Sequence, residues 1–295
     1  FTSCDDFLDR EPMSTVDPEV YFTQVSQLES YANQLYENIL PSHGNWSYGI
    51  FGEDSGTDNQ TGATANNRFA EGLWKVPNKD DDNWKFEWIY RCNFFLQNVL
   101  EKYGTKEDGS ENTIMGDLAS IKHYIGEIYF LRAYEYFKRY QKYGDFPIIT
   151  EPLADDMEIL RESNKRMPRT EVARFILDDL KKAYDFLSAK EMATTRINKD
   201  AALLLRSRVA LFEGTWLKSF EGTAFVPNGE GWPGASKDYN KDYQFKSGSI
   251  DKEINYFLEQ AIADAETISE AYKNDLAENK GLQQSVNDPA NPYYD

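Results

Sequence analysis

Cysteine is nearly absent. The chain has 295 residues and only two, Cys4 and Cys92, which cannot make a disulfide framework. Cys92 falls within a helical pattern and reads as a small buried apolar residue. Histidine is as scarce, and neither His43 nor His123 shows metal-ligand spacing, so catalysis has weak support. No stretch approaches the roughly 18 apolar residues that a membrane-spanning helix needs. The glycine-rich piece from Gly52 to Gly62 lacks the Lys-Ser/Thr pair of a phosphate-binding loop. Positive charge is in deficit: 32 Lys and Arg stand against 50 Asp and Glu, a net charge of −18. A surface that acidic repels phosphate backbones, which argues against a nucleic-acid partner, and it disfavours adsorption to anionic lipid. Carboxylate pairs are common by number alone, so they cannot argue for a glycoside hydrolase.

What is abundant is aromatic surface: 19 Tyr, 18 Phe and 6 Trp in a chain that is 40% hydrophobic. Much of it fills a core. The excess of Tyr and Trp in polar stretches needs another reason, and rings that stack on sugars supply one.

Apolar residues recur at helical spacing in six places. Asp17-Pro18 predicts a cap and first turn, followed by Tyr21, Val25, Leu28, Ala32, Leu35 and Ile39, with Pro41 and Gly44 as the stop. A second helix is predicted over Trp84–Tyr103 and a third over about 113–142, stopped by Tyr143-Gly144-Asp145-Phe146-Pro147. A fourth follows Pro168 with Thr170 as its cap, a fifth follows Asn198, and a sixth covers about 251–273. The third and fourth, and the fifth and sixth, read as antiparallel pairs. The fold class is therefore mainly all-α, with helical hairpins stacked as in tetratricopeptide (TPR) proteins but without the strict 34-residue period.

Two long irregular stretches interrupt the pattern. Residues 43–83 are rich in Gly, Asn, Asp, Thr and Trp, and structureless stretches of that length are usually functional. A sugar-binding site needs an indole or phenol ring as platform and carboxylate, amide or guanidinium groups for the hydroxyls. This stretch, with Trp84 that closes it, offers Trp46, Trp74 and Trp84 with Asp54, Asp58, Arg68 and Asp81. The alternative is that Trp74 and Trp84 pack beneath the loop as staples. Asp80-Asp81-Asp82 is either a solvated turn or a place for a structural Ca²⁺; no other cofactor is expected. Asp238-x-Asn240-x-Asp242 begins like an EF-hand loop but has Tyr243 and Ser249 where Gly and Glu are required. The second stretch, 219–249, carries Phe220, Phe225, Trp232, Tyr239, Tyr243 and Phe245.

At the start, Thr2-Ser3-Cys4 has the small-residue pair that precedes the cysteine of a bacterial lipoprotein, and Asp5, Asp6 and Asp9 follow it. Either Cys4 is lipidated or it is an ordinary exposed cysteine near a terminus. Several segments together resemble the SusD/RagB family of Bacteroidetes lipoproteins. They are Cys4-Asp5-Asp6-Phe7-Leu8-Asp9, the helix from Trp88 to Leu96, and Glu127-Ile128-Tyr129-Phe130-Leu131-Arg132-Ala133-Tyr134 running on to Tyr143-Gly144-Asp145-Phe146-Pro147. Ala201-Ala202-Leu203-Leu204-Leu205-Arg206-Ser207-Arg208 is the last.

The resemblance implies lipidation at Cys4 and a lipid-anchored place on the outer-membrane surface. It also implies a non-catalytic role in which oligosaccharide is captured and delivered to a SusC-like TonB-dependent transporter, with a glycan site in the loop before the second helix. Residues 1–16 are then a tether and 17–295 an incomplete helical domain, since family members are roughly twice this length. The competing functions are a TPR-type scaffold for proteins, with no sugar binding, and a glycoside hydrolase. In the helix from Glu127, Arg132 and Glu135 are expected to be satisfied by neighbours, and Gly144-Asp145 to form a tight turn rather than a site.

Overall fold

The structure is a computed structural model and describes residues 21–41, 71–72, 84–189 and 195–275. Within them lie seven α-helices: α1 (Val25–Ile39), α2 (Glu87–Tyr103), α3 (Leu118–Tyr143), α4 (Met157–Ser163), α5 (Arg169–Phe186), α6 (Lys199–Ser219) and α7 (Ile250–Tyr272). Extended pairing among the described residues is limited to two isolated bridges, Gln24 with Met115 and Phe146 with Met167. The fold is all-α and TPR-like.

The helix α3 is the axis. Its faces are buried almost all round, from Ile121 to Tyr140, because α1, α2 and α5 each take one side. A helix apolar around most of its girth belongs at the centre of a bundle. Contacts along α3 and α5 run in opposite order: Gly126 meets Ala183 and Leu187, Arg132 meets Asp179, and Tyr140 meets Arg169. The same reversal joins α6 to α7, through Asp200–Tyr272, Arg206–Asp264 and Gly214–Leu258. Both antiparallel pairs expected from the apolar periods are present.

Two glycines set how closely these pairs approach. A methyl group at Gly126 would lie 2.9 Å from the Leu187 backbone nitrogen, and one at Gly214 would lie 2.8 Å from Leu258 Cδ2. No larger side chain fits either crossing without a shift.

Buried arginine–carboxylate pairs then fix register. Arg132 grips Asp179 across α3 and α5, Arg174 grips Glu253 across α5 and α7, and Arg206 grips Asp264 across α6 and α7. Glu127, fully buried on α3, accepts from Arg196 (2.8 and 2.5 Å), from Tyr36 (2.6 Å) and from His123 Nε2 (3.0 Å). His123 Nδ1 in turn accepts the Ser188 backbone N–H, which fixes the tautomer: Nε2 carries the proton. Glu135 is held by charge, with Lys138 and Arg139 each 2.5 Å away.

Several ends differ from expectation. In the structure α1 begins at Val25, where Gln24 and Gln27 form a reciprocal cap; Asp17-Pro18 lies outside the described residues. Asp117 caps α3, five residues later than the apolar period implied. Pro168 occupies the cap of α5, and the Thr170 hydroxyl is instead 2.5 Å from the Tyr243 hydroxyl. Asn198 caps α6, the helix expected to follow it, and Ser249 caps α7. The short α4 was not expected; it buries none of its residues and so shows no apolar stripe.

Candidate functional site

Where the polar stretch 43–83 rejoins the helical body, the chain passes through Trp84 into α2. The Trp84 ring is half-buried. It meets Tyr143 at 5.0 Å, Phe146 at 4.9 Å and Phe86 at 5.8 Å, edge-on in each case. Phe146 is fully buried and stacks on Phe86 at 5.1 Å. These rings converge because α3 stops at Tyr143 and the turn 143–147 folds back over the helix, carrying Phe146 under the entry to α2. The geometry gives Trp84 the packing of a staple, with one further feature: the exposed Arg166 guanidinium lies 5.3 Å over its ring.

Arg166 is not loosely placed. Its Nε donates to the Asp145 carbonyl (2.9 Å) and its Nη2 to the Tyr143 carbonyl (3.1 Å). A planar cation above an indole is attracted by the ring's electron-rich face, and the two carbonyls fix its plane.

Asp145 joins this turn to two other elements. One carboxylate oxygen accepts the Arg169 backbone N–H at 2.9 Å, anchoring the start of α5; the other accepts Trp232 Nε1–H at 2.8 Å. Burial pushes the Asp145 carboxyl above its ordinary value, against the pull of those two hydrogen bonds and of the Arg166 and Arg169 charges. The Gly144-Asp145 turn is thus structural, as its sequence suggested. Through Trp232 it clamps the 219–249 insertion to the same corner.

A second clamp follows a few residues on. Asn240, almost fully buried, donates from Nδ2 to the Arg166 carbonyl at 2.9 Å. Its neighbour Tyr239 is 40% exposed, with Lys165 Nζ 5.8 Å over its ring. Trp84, Arg166 and the Tyr239–Asn240 tip therefore adjoin, although they come from three separate parts of the chain. The corner offers aromatic faces beside cationic hydrogen-bond donors, which is the chemistry for holding a polar, ring-shaped ligand by stacking and hydrogen bonding.

Of the site residues expected from sequence, Trp84 alone falls among the described residues. Trp46, Asp54, Asp58, Arg68, Trp74 and Asp81 lie outside them, as does Cys4. Arg166 was not foreseen at all. It sits in the irregular link between α4 and α5, and the Phe146–Met167 bridge and its bonds to the Asp145 and Tyr143 carbonyls bring it to Trp84. Among the described residues no group of three or more His, Cys, Asp or Glu is placed to hold a metal ion, and no helix is long and apolar enough to cross a membrane.

Residues 6–211 match a SusD-like family described as starch-binding and associating with the outer membrane. SusD-like protein P25 of Formosa agariphila is 26% identical over 234 residues, which is 72% of this chain and 41% of the relative. SusD-like protein P2 of the same organism is 25% identical over 237 residues, 77% of this chain and 44% of the relative. The chain thus spans about two fifths of the length of these relatives. The solved structure of BT4246 superposes with a TM-score of 0.54 at 19% identity, over 89% of this chain and 45% of its own, a likeness of fold.

Proposed function

Because the chain belongs to the SusD-like family, described as starch-binding and associating with the outer membrane, we propose that it is a non-catalytic glycan-binding lipoprotein of the cell surface. It captures oligo- or polysaccharide and delivers it to a SusC-like TonB-dependent transporter in the outer membrane. Residues 1–16 act as the tether, lipidated at Cys4, and the domain that follows does the binding. The observation that carries this reading is the extent of the family match, which takes in Trp84, the 143–147 turn and Arg166 together.

The glycan meets the stretch 43–83 and the corner that receives it. Trp46, Trp74 and Trp84 supply ring faces, while Arg68, Asp54, Asp58 and Asp81 supply hydroxyl partners. Affinity for free sugar is expected to be weak, since a carrier must also release. A millimolar dissociation constant corresponds to about −4 kcal/mol. Covering a transporter mouth requires a docking face that buries well over roughly 1,000 Å².

Native gel electrophoresis through a panel of embedded polysaccharides tests the reading. We expect at least one neutral glycan to retard the chain, and Trp74→Ala or Trp84→Ala to remove that retardation. Retardation untouched by both substitutions would keep the function and move the site. A chain that no polysaccharide slows would sink the proposal and favour the protein-binding scaffold.

A further inference from the structure

We propose that His123 is an acid-released latch on the passage from α5 to α6: its Nδ1 lone pair holds Ser188 in place, and a second proton on the ring lets it go. The inference is independent of the carbohydrate reading and concerns residues that reading does not use.

His123 lies on α3 and is 1% exposed. Both ring nitrogens are engaged. Nε2–H donates to Glu127 Oε1 at 3.0 Å, and Nδ1 accepts the Ser188 backbone N–H at 3.1 Å. Ser188 follows directly on Leu187, the C-cap of α5. Its carbonyl accepts the backbone N–H of Lys199, the first residue of α6, at 3.3 Å. One residue thus hangs on α3 by its amide and steadies the start of α6 by its carbonyl. The far end of the link is pinned to the same cluster. Arg196 bonds Glu127, and the Ile197 N–H donates to the Tyr36 hydroxyl, which itself donates to Glu127.

A neutral imidazole has one donor and one acceptor, whereas an imidazolium has two donors and no acceptor. A proton at Nδ1 would point at the Ser188 N–H, so that proton and the Ser188 bond exclude one another. The added charge has no ready partner. Around the ring, directly or through Glu127, stand Glu127 and Tyr124 of α3, Tyr36 and Glu29 of α1, Arg196 of the link, and the Ser188 amide at the end of α5. Glu127 is already matched by Arg196, whose Nη2 is 2.5 Å away, and the exposed Glu29 is 4.0 Å from Arg196 Nη1. Of the two parties the ring is the fixed one, packed on the central helix. Ser188 is half-buried at the start of an irregular link, and it is the part that moves. The latch is closed while the ring is neutral and opens on acidification.

Imidazoles take up their second proton between about pH 8 and about pH 5, so those two values frame the test. Hydrogen–deuterium exchange of the full chain is measured at both and corrected for the intrinsic pH dependence of exchange. His123→Asn and His123→Gln run alongside, with thermal melts of each. In the parent we expect acid to cut protection at Ser188 and in the first turn of α6 roughly five- to tenfold, the range for one lost hydrogen bond. Amides in the middle of α6 and α7 should keep their protection, which separates local opening from unfolding. His123→Asn places a carbonyl near Nδ1 that accepts but takes up no proton, so its protection should not change with pH. His123→Gln can reach Glu127 but offers Ser188 no acceptor, and its protection should be low at both values. Nitrogen-15 shifts read the ring itself, and His43 is the one other histidine in the spectrum. Nδ1 must gain its proton in the step in which protection falls. A ring that gains the proton while Ser188 stays protected overturns the latch, and so does a ring still neutral at the lower pH. An equal acid loss in His123→Asn overturns the assignment to His123. Should neither variant fold, the parent's shifts and exchange decide between these outcomes.

Discussion

Arg132 on α3 and Asp179 on α5 face each other in a two-bond ion pair, Nε to Oδ2 at 2.7 Å and Nη2 to Oδ1 at 2.8 Å. The third arginine donor, Nη1, reaches Asn93 Oδ1 on α2 at 2.8 Å. Asn93 passes the contact on to the Ile149 carbonyl, where Tyr136 also donates. One buried cation thus ties three helices and the strap after α3. Burying two charges costs solvation, so the pair contributes more to register than to net stability.

Removing only one partner should therefore be costly. Arg132→Met leaves Asp179 buried and unpaired, and is expected to lower stability by ~3–5 kcal/mol. The double change Arg132→Met, Asp179→Leu should recover much of that loss. Urea denaturation midpoints of the three variants check it; equal losses in the single and double variants would show that shape, not charge, governs the site.

The two helix crossings make a prediction of sign. In an open helix, Gly→Ala stabilises by about 1 kcal/mol. At Gly126 the new methyl meets the Leu187 backbone nitrogen and the Ala183 carbonyl, which cannot yield. At Gly214 it meets chiefly the Leu258 side chain, which can partly move. Gly126→Ala should destabilise by about 1–3 kcal/mol and Gly214→Ala by less, as measured by thermal melts.

A pH dependence follows from Glu253. Burial alone would raise its carboxyl, but hydrogen bonds from Arg174 and Ser247 and the arginine's charge outweigh that, and the net shift is downward. A carboxylate whose folded value lies below its unfolded one stabilises the fold fully above the unfolded value, and loses that contribution as pH falls through the folded one. Glu253→Gln should thus melt well below the parent at neutral pH. The gap should close once the pH drops below the ordinary glutamate range. A gap independent of pH would assign the loss to packing.

How far this was legible in the sequence depended on the kind of signal. The start of α6 was readable because a polar cap, Asn198, stands directly before an apolar period. The start of α1 was not, since Asp17-Pro18 offers a stronger-looking cap than Gln24, whose role depends on Gln27 reaching back. Helix α4 escaped because Met157, Ile159 and Leu160 all remain exposed and trace no stripe. At the candidate site, Trp84 was visible as an indole closing a polar stretch. Arg166 and Asn240 were not, because their role lies in contacts between distant segments that no local period encodes.

The clamp between Asp145 and Trp232 offers a way to separate the insertion's fold from its function. Trp232 is 4% exposed, and its Nε1–H is one of the two donors to the half-buried Asp145 carboxylate. Trp232→Phe keeps an aromatic ring there but removes the donor. Leaving a fully buried acceptor short of one partner costs about 1–3 kcal/mol, and a half-buried one less. Val226, fully buried, and Asn240 continue to hold the insertion at either side. The expected result is a modest fall in melting temperature with earlier proteolytic cleavage within 219–249. Glycan retardation should stay at the parent level, because the described ring proposed to meet sugar, Trp84, packs on Tyr143, Phe146 and Phe86 and not on residue 232. If retardation weakens as cleavage accelerates, the insertion also helps to hold the sugar; if neither changes, the Asp145–Trp232 bond does not brace the insertion.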